Sequence, residues 1–393
     1  MKKLMIVGAS VLQLPAILRA KKKGMQVAVV DYNPKAVGVQ YADRYYNAST
    51  MDEDAVVAVA EDFRPDGIMT LATDMPMRGV AKASEKLNLH SISYDTAVKA
   101  TDKFEMIKAF KSAGVPSPWF FDVDSLDELK ALEGRISFPC IIKPTDNAGS
   151  HGVAKADSFK ELLEEYEYSH SCSRQGKVIV EEYLDGPEVS VEIMVVNGEV
   201  HVLQITDKIT TGAPHFVEMG HTQPSRLPVD SRNRIKEVAT AACKAVGIDK
   251  GPAHVEMRVT SRGPVMIELG ARMGGDNITT HLVPLSTGID MVEATIKIAL
   301  GEEPEITPTL HCGSAIRYFE APFGTIQSME GVEAAERIPG VRQITFTKVI
   351  GEESAPIHCS NDRIGFVIAQ GETAEDAAAI CEKAMRMIRI NTK

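Results

Sequence analysis

Two glutamates, Glu256 and Glu268, flank a stretch that reads as a β-hairpin, "AHVEMRV" and "GPVMIELGARMGG". With the turn centred on Arg262, both lie the same distance from it. They should then face each other across the ladder with Cβ atoms about 5 Å apart. Opposed like charges destabilise a sheet, and a divalent cation between them would reverse the sign, since carboxylates with phosphate oxygens are what Mg²⁺ takes. Both could instead sit on a wet face of the sheet. Their neighbours read as well-buried strands, however, and buried carboxylates need partners. A second stretch, "KPTDNAGSHGV" (143–153), follows the apolar strand "FPCII". Gly149 and Gly152 permit backbone angles closed to other residues, so the amides can approach an anion, phosphate above all. An ordinary surface loop has the same composition. Lys103 opens the helix "TDKFEMIKAFKSAG", capped by Thr101 or Asp102. A helix dipole disfavours a cation there, so an anion nearby would offset the cost; a solvated lysine is the plainer reading.

The elements that must position these residues fall into three stretches. Residues 1–100 alternate strand and helix: "KLMIVGA", "LPAILRAKKKG", "MQVAVVD", "MDEDAVVAVAEDF", "GIMTLA" and "MRGVAKASEKLN". That order predicts a small parallel α/β sheet. Gly8 and Asp31 sit where a dinucleotide-binding domain would use them, but G-x-G-x-x-G is absent, which argues against a dehydrogenase. From 116 the pattern turns α+β, with a hairpin marked by Asn197-Gly198. Residues 207–228 show no periodicity and are expected to form a functional loop. Further on come a helix near 230–246, the glutamate hairpin, the strand "RIGFVIAQG" and a last helix whose Thr373 and Asp376 match a capping box.

The composition limits the function class. The 393 residues are 44% hydrophobic and 25% charged, with a formal charge of −11. That argues against a nucleic-acid groove and favours a soluble enzyme that concentrates positive charge locally. Six scattered cysteines without a C-x-x-C motif argue against disulfides and structural zinc, and so for the cytoplasm. The apolar start is broken by Gly8, Ser10, Gln13 and Pro15, which argues against a signal peptide. No stretch is long and apolar enough for a membrane span. The oligomeric state stays open, with a homodimer among the options.

A lysine at a strand end before a glycine loop, a lysine at a helix start, "VEEYLDGPE", and E-x11-E closing in "ELGARMGG" resemble the ATP-grasp ligase superfamily over essentially the whole chain. The resemblance implies an α/β and α+β architecture. A Rossmann-like pre-ATP-grasp domain (1–100) precedes the ATP-grasp region (101–300), and a small C-terminal α+β lobe (301–393) follows. It implies that the loop 146–153, with Asn147, Gly149, Ser150 and Gly152, closes over the phosphates of ATP. Lys103 and Lys143 would neutralise them. Glu181 and the backbone of Tyr183 and Leu184 would meet adenine, Glu188 the ribose, and Glu256 and Glu268 the Mg²⁺ or Mn²⁺. Many members have asparagine where this chain has Gly270, which would leave the second metal with more water.

"VEMGHTQPSRLP" and "ELGARMGGD" resemble the L-amino acid ligase branch, which joins amino acids into dipeptides. In that branch Glu218, His221 and Arg272 would line the substrate site. An acid can take an amino group, and a guanidinium can clamp a carboxylate or acyl phosphate. The expected reaction is carboxylate plus amine plus ATP to amide, ADP and phosphate, through an acyl phosphate. The alternatives are a carboxylase-like or purine-pathway ATP-grasp enzyme with a different acceptor, or a non-catalytic ATP-binding protein.

Overall fold

In the computed structural model, which describes residues 1–393 except Ala148 and Ser150, the alternating N-terminal pattern folds as a parallel sheet. Its strands are β1 (Lys3–Val7), β2 (Gln26–Asp31), β3 (Arg44–Asn47) and β4 (Gly67–Met69), in the order β3-β2-β1-β4. Helices Leu14–Lys22, Glu53–Phe63 and Pro76–Leu87 cover it. Two elements escape the sequence pattern. β3 is "RYYN", an edge strand exposed at both ends, and helix Tyr94–Thr101 precedes the expected one. Thr101 therefore ends one helix while Asp102 caps the next, Lys103–Ser112, by accepting from Phe104 and Glu105 N–H.

A second sheet is antiparallel and carries the glycine loop. It is built from β5 (Phe120–Val123), β6 (Cys140–Pro144), β7 (Ala154–Ala156) and β8 (Val178–Glu182) in the order β5-β8-β6-β7. Helices Leu126–Ala131 and Phe159–Cys172 pack on it around Leu129, Ile142, Leu162 and Val180.

The remaining chain builds an eight-stranded sheet, β13-β12-β9-β10-β11-β14-β18-β16. Its members are β9 (Glu188–Val196), β10 (Glu199–Thr210), β11 (Glu218–Gln223), β12 (Gly251–Thr260), β13 (Gly263–Gly270), β14 (Gly313–Phe319), β16 (Val341–Phe346) and β18 (Gly365–Gly371). The β9–β10 turn is Asn197-Gly198, both at positive φ (50° and 82°), as a tight hairpin turn needs. The segment 207–228, expected as a loop, is a loop only in part, at 211–217 and 224–228. β10 runs to Thr210, and β11 is a strand held between β10 and β14. Its sequence, "EMGHTQ", is too polar to show the apolar alternation by which strands are read.

The C-terminal α+β lobe does not have a sheet wholly its own. β14, β18 and β16 continue the central sheet through the β11–β14 ladder. Only β15 (Gly324–Glu330), β17 (Glu353–Ser354) and β19 (Arg389–Thr392) form a separate three-stranded sheet. Thr373 and Asp376 form the expected capping box on helix Ala374–Met387. Among the described residues no helix is long and apolar enough to cross a membrane.

Candidate active site

Side chains alternate across a strand, so residues two apart share a face. On β9, β10 and β12 the odd-numbered Val189, Val191, Ile193, Ile205, Val255 and Met257 enter the core. The even-numbered positions are polar: Glu188, Ser190 and Glu192; Gln204, Thr206 and Lys208; His254, Glu256 and Arg258. Cross-strand register sets Arg258 opposite Glu188, Glu256 opposite Ser190 and His254 opposite Glu192. This polar face forms one wall of a cleft of about 720 Å³, also lined by Gly8, Gln13, Asp31 and Asp74 of the N-terminal domain and Ser360 of the C-terminal lobe.

Glu256 and Glu268 are cross-strand partners, as their spacing implies. The route differs from the expected one. The turn pairs Thr260 with Gly263 and Met257 with Met266, a register that would set Ile267 opposite Glu256. A β-bulge between Glu256 and Met257 restores Glu268 as the partner. Each carboxylate has its own cation. Lys208 Nζ lies 3.0 Å from Glu256 Oε2 and Lys103 Nζ 3.1 Å from Glu268 Oε2. Burial works against the charge on Lys103, but Glu268, Asp74 and Glu181 more than offset it and raise its pKa. Burial likewise opposes ionisation of Glu256, yet Lys208 and His254 hold its carboxyl well below the usual range. His254, between Glu192 (2.9 Å) and Glu256 (3.0 Å), is pushed up to about 9 because these carboxylates outweigh its burial.

Lys143, 4% exposed at the end of β6, sits 2.5 Å from Glu181 Oε1 of β8. The other oxygen, Glu181 Oε2, is buried with no hydrogen-bond partner among the described residues. Such an acceptor in a cleft wall calls for a donor from a ligand, and an exocyclic amine supplies one. Tyr183 and Leu184 lie just past the end of β8 on the same wall. Glu188 holds Lys208 (2.6 Å) and Arg258 (2.9 Å), one on each oxygen. Each oxygen has a second lone pair with which to take a hydroxyl. Lys103 Nζ donates to the Asn147 carbonyl (2.7 Å), and Asn147 Nδ2 to the Cys172 carbonyl (3.0 Å), anchoring the base of the glycine loop. Gly149 and Gly152 have φ of 69° and 81°. Ser150 lies outside the described residues. Among the described residues no three His, Cys, Asp or Glu side chains are grouped to hold a metal. Two carboxylates completed by phosphate oxygens suit Mg²⁺, which usually takes one or two protein carboxylates and keeps water.

The residues expected at the substrate end do meet in this cleft, from more segments than the sequence pattern indicates. Glu218 and His221 come from β11, and Lys208 Nζ is 3.5 Å from Glu218 Oε1. Lys208, with a side chain only 2% exposed, thus joins Glu188, Glu218 and Glu256. His221 Nε2 is 3.3 Å from Asp276 Oδ2, and its buried Nδ1 has no partner among the described residues. Arg363 of the C-terminal lobe grips Asp276 through both oxygens (2.7 and 2.8 Å) and donates to the Glu218 carbonyl (3.0 Å). Its guanidinium lies 3.8 Å from the Tyr318 ring centroid. Asp276 and Asn277 both take positive φ, 52° and 60°, which is uncommon outside glycine and costs backbone energy. Arg272 also lines the cleft, with its Nε and Nη2 on Asp74. Sequence reading missed Lys208, His254, Asp276, Arg363 and Asp74. The period-two polar pattern would have found the first two.

Comparison with known proteins agrees with this geometry. The ATP-grasp domain model matches residues 136–281, and the L-amino acid ligase C-terminal domain 2 model matches 317–393. The alanine–anticapsin ligase of Bacillus subtilis is 29% identical over 266 residues, 62% of this chain and 56% of that one; the chain thus spans little over half of that relative. The formate-dependent phosphoribosylglycinamide formyltransferase of Saccharolobus solfataricus is 24% identical over 99% of this chain and 97% of that one. The crystal structure of an L-amino acid ligase from Bacillus licheniformis superposes with a TM-score of 0.86, at 25% identity, over 100% of this chain and 99% of that one. ATP-grasp domains use ATP with Mg²⁺, the pair of ligands for which the orphan Glu181 oxygen and the facing glutamates are suited. The chain carries an ATP-grasp domain and, after it, the L-amino acid ligase C-terminal domain.

Proposed function

We propose that this enzyme joins two L-amino acids into a dipeptide at the expense of ATP. The observation that carries the reading is the meeting in one cleft of an acid, Glu218, and a guanidinium, Arg272, beside the facing glutamates. An α-amino acid presents an ammonium and a carboxylate, and this cleft offers a partner for each. Lys143 and Lys103 are placed to draw the phosphate chain of ATP in, and Glu181 to take the adenine amine. Glu256 and Glu268 would hold Mg²⁺, which would supply Lewis-acid stabilisation of the transferring phosphoryl group.

The carboxylate of the first amino acid attacks the γ-phosphorus and ADP leaves, giving an acyl phosphate. Arg272 offsets the charge that builds on its oxygens. The neutral amine of the second amino acid attacks the carbonyl, and phosphate departs. Glu218 and His221 shape the pocket that selects the amino acid. Closure of the glycine loop keeps water from the acyl phosphate.

The test is phosphate release from ATP and Mg²⁺ with a matrix of paired amino acids, run beside hydroxylamine trapping with single amino acids. A hydroxamate formed with one amino acid and diverted into dipeptide by a second is the expected result. Turnover only with formate or bicarbonate would replace it with the carboxylase-like or purine-pathway reading. Glu218→Gln is expected to change which amino acids react while ATP affinity stays the same.

A further inference from the structure

Gly270 sits two residues after Glu268, on the same face of β13, with no left-handed backbone angle to explain a glycine. The reason is space. A Cβ at this position would meet Asp74 Oδ1 at 2.6 Å and Arg272 Nε at 3.0 Å. Asp74 comes from the N-terminal domain, some two hundred residues earlier, and grips Arg272 in a fork: Nε to Oδ1 at 2.7 Å, Nη2 to Oδ2 at 2.8 Å. The segment that presents Asp74 is pinned. Gln13, 2% exposed, donates to the Leu71 carbonyl at 2.6 Å, Thr70 Oγ1 donates to the Val7 carbonyl at 2.8 Å, and the Asp74 carbonyl accepts from Met77 N–H.

A guanidinium has five N–H donors. Two go to Asp74 and one to the Met273 carbonyl (3.2 Å), which leaves two for a ligand. We infer that Asp74 is a positioning residue for the reaction: it fixes the plane of Arg272 so that the remaining donors face the reacting carboxylate, and Gly270 is the residue that makes room for it. The N-terminal domain thereby takes part in the chemistry through one side chain. This inference rests on the proposed role of Arg272 as the carboxylate clamp, and holds whichever carboxylate that is.

The experiment takes the carboxylate that the wild-type enzyme uses best among the twenty L-amino acids, formate and bicarbonate. Asp74→Asn keeps the volume but loses the charge and one of the two acceptors. It is expected to raise KM for that carboxylate about tenfold or more, with KM for ATP near wild type, while circular dichroism shows the variant folded at the assay temperature. Gly270→Ala drives a methyl into the Asp74 carboxylate and should do the same. In an Asp74→Ala background the same change should add less than about twofold, because the carboxylate it strikes is gone. An unchanged carboxylate KM in Asp74→Asn, equal rises for ATP and carboxylate, or additive effects in the double variant would overturn the inference. If formate or bicarbonate proves the best substrate, the dipeptide reading falls, while Asp74→Asn must still raise KM for that anion.

Discussion

The half of the cleft proposed to take the nucleotide and the half proposed to take the substrate are assembled differently. The first is built from ladder neighbours. Glu256 faces Glu268 on one hairpin, Lys143 and Glu181 lie on adjacent strands, and Glu188 meets Arg258 and Lys208 across β9, β12 and β10. The second converges through tertiary packing: Glu218 and His221 from β11, Asp276 from a left-handed turn, Arg272 after β13, Asp74 from the N-terminal domain, Arg363 from the C-terminal lobe. A site fixed by sheet register tolerates little variation in spacing. A site made by convergence can be altered by a change in any one of its segments, so it is the half in which relatives with one ATP site can take different substrates.

The largest expected effect tests the register-built half. Glu268→Gln keeps size and hydrogen bonding but removes the charge facing Glu256. Phosphate release should fall by about 10³-fold with circular dichroism unchanged. Full turnover at low Mg²⁺ would break the distinction between the halves. Lys208 sits on the seam, its amine shared by Glu188 and Glu256 on one side and Glu218 on the other. Lys208→Met leaves three carboxylates without their common cation, and urea unfolding should show a loss of ~3–5 kcal/mol.

How much was legible follows the same division. The facing glutamates, the Asn197-Gly198 turn, Lys143 before the glycine loop and the Thr373 capping box are local patterns, and each is found in place. β11 was hidden because a strand facing a polar cleft on one side and a polar network on the other carries Glu, His, Thr and Gln in place of valine and isoleucine. Arg363 and Asp276 were hidden because nothing local links residues that far apart. The Glu256–Glu268 pairing was reached by a bulge that no spacing argument contains.

A smaller effect addresses the convergent half through pH. Burial pushes the Asp276 carboxyl up, but Arg363 and His221 outweigh it and hold it well below the usual range. A depressed folded pKa contributes stability that is fully present above the unfolded value near 4 and is lost as acid takes the pH down through the folded one. Asp276→Asn should therefore be less stable at pH 7, and its stability should fall less steeply below about pH 4 than that of the wild type. Parallel acid limbs would remove the Asp276–Arg363 pair from the account of this half.

The smallest effects separate the two loop glycines. Gly149 has a positive φ, and a Cβ there would make only ordinary contact with His151 Cδ2 at 3.6 Å among the described residues, whereas a Cβ on Gly152 would meet Cys172 Cβ at 2.7 Å and Pro144 Cδ at 2.9 Å. Gly149→Ala should cost about 1–2 kcal/mol and slow the chemical step a few-fold without weakening adenine binding. Gly152→Ala should lower the melting temperature as well. Equal stability losses in the two would mean that packing does not distinguish them.

The ladder between β11 and β14 joins Gly220 to Arg317, and β14 in turn needs β18, ending at Gly371, to cover its other side. During synthesis from the N-terminus, every strand that carries the proposed nucleotide residues has left the ribosome while β11 still has one bare edge. The proposed substrate half is then the last part of the cleft that the nascent chain completes. Until β14 and β18 arrive, the open edge of β11 is also the place where two growing chains could pair with each other.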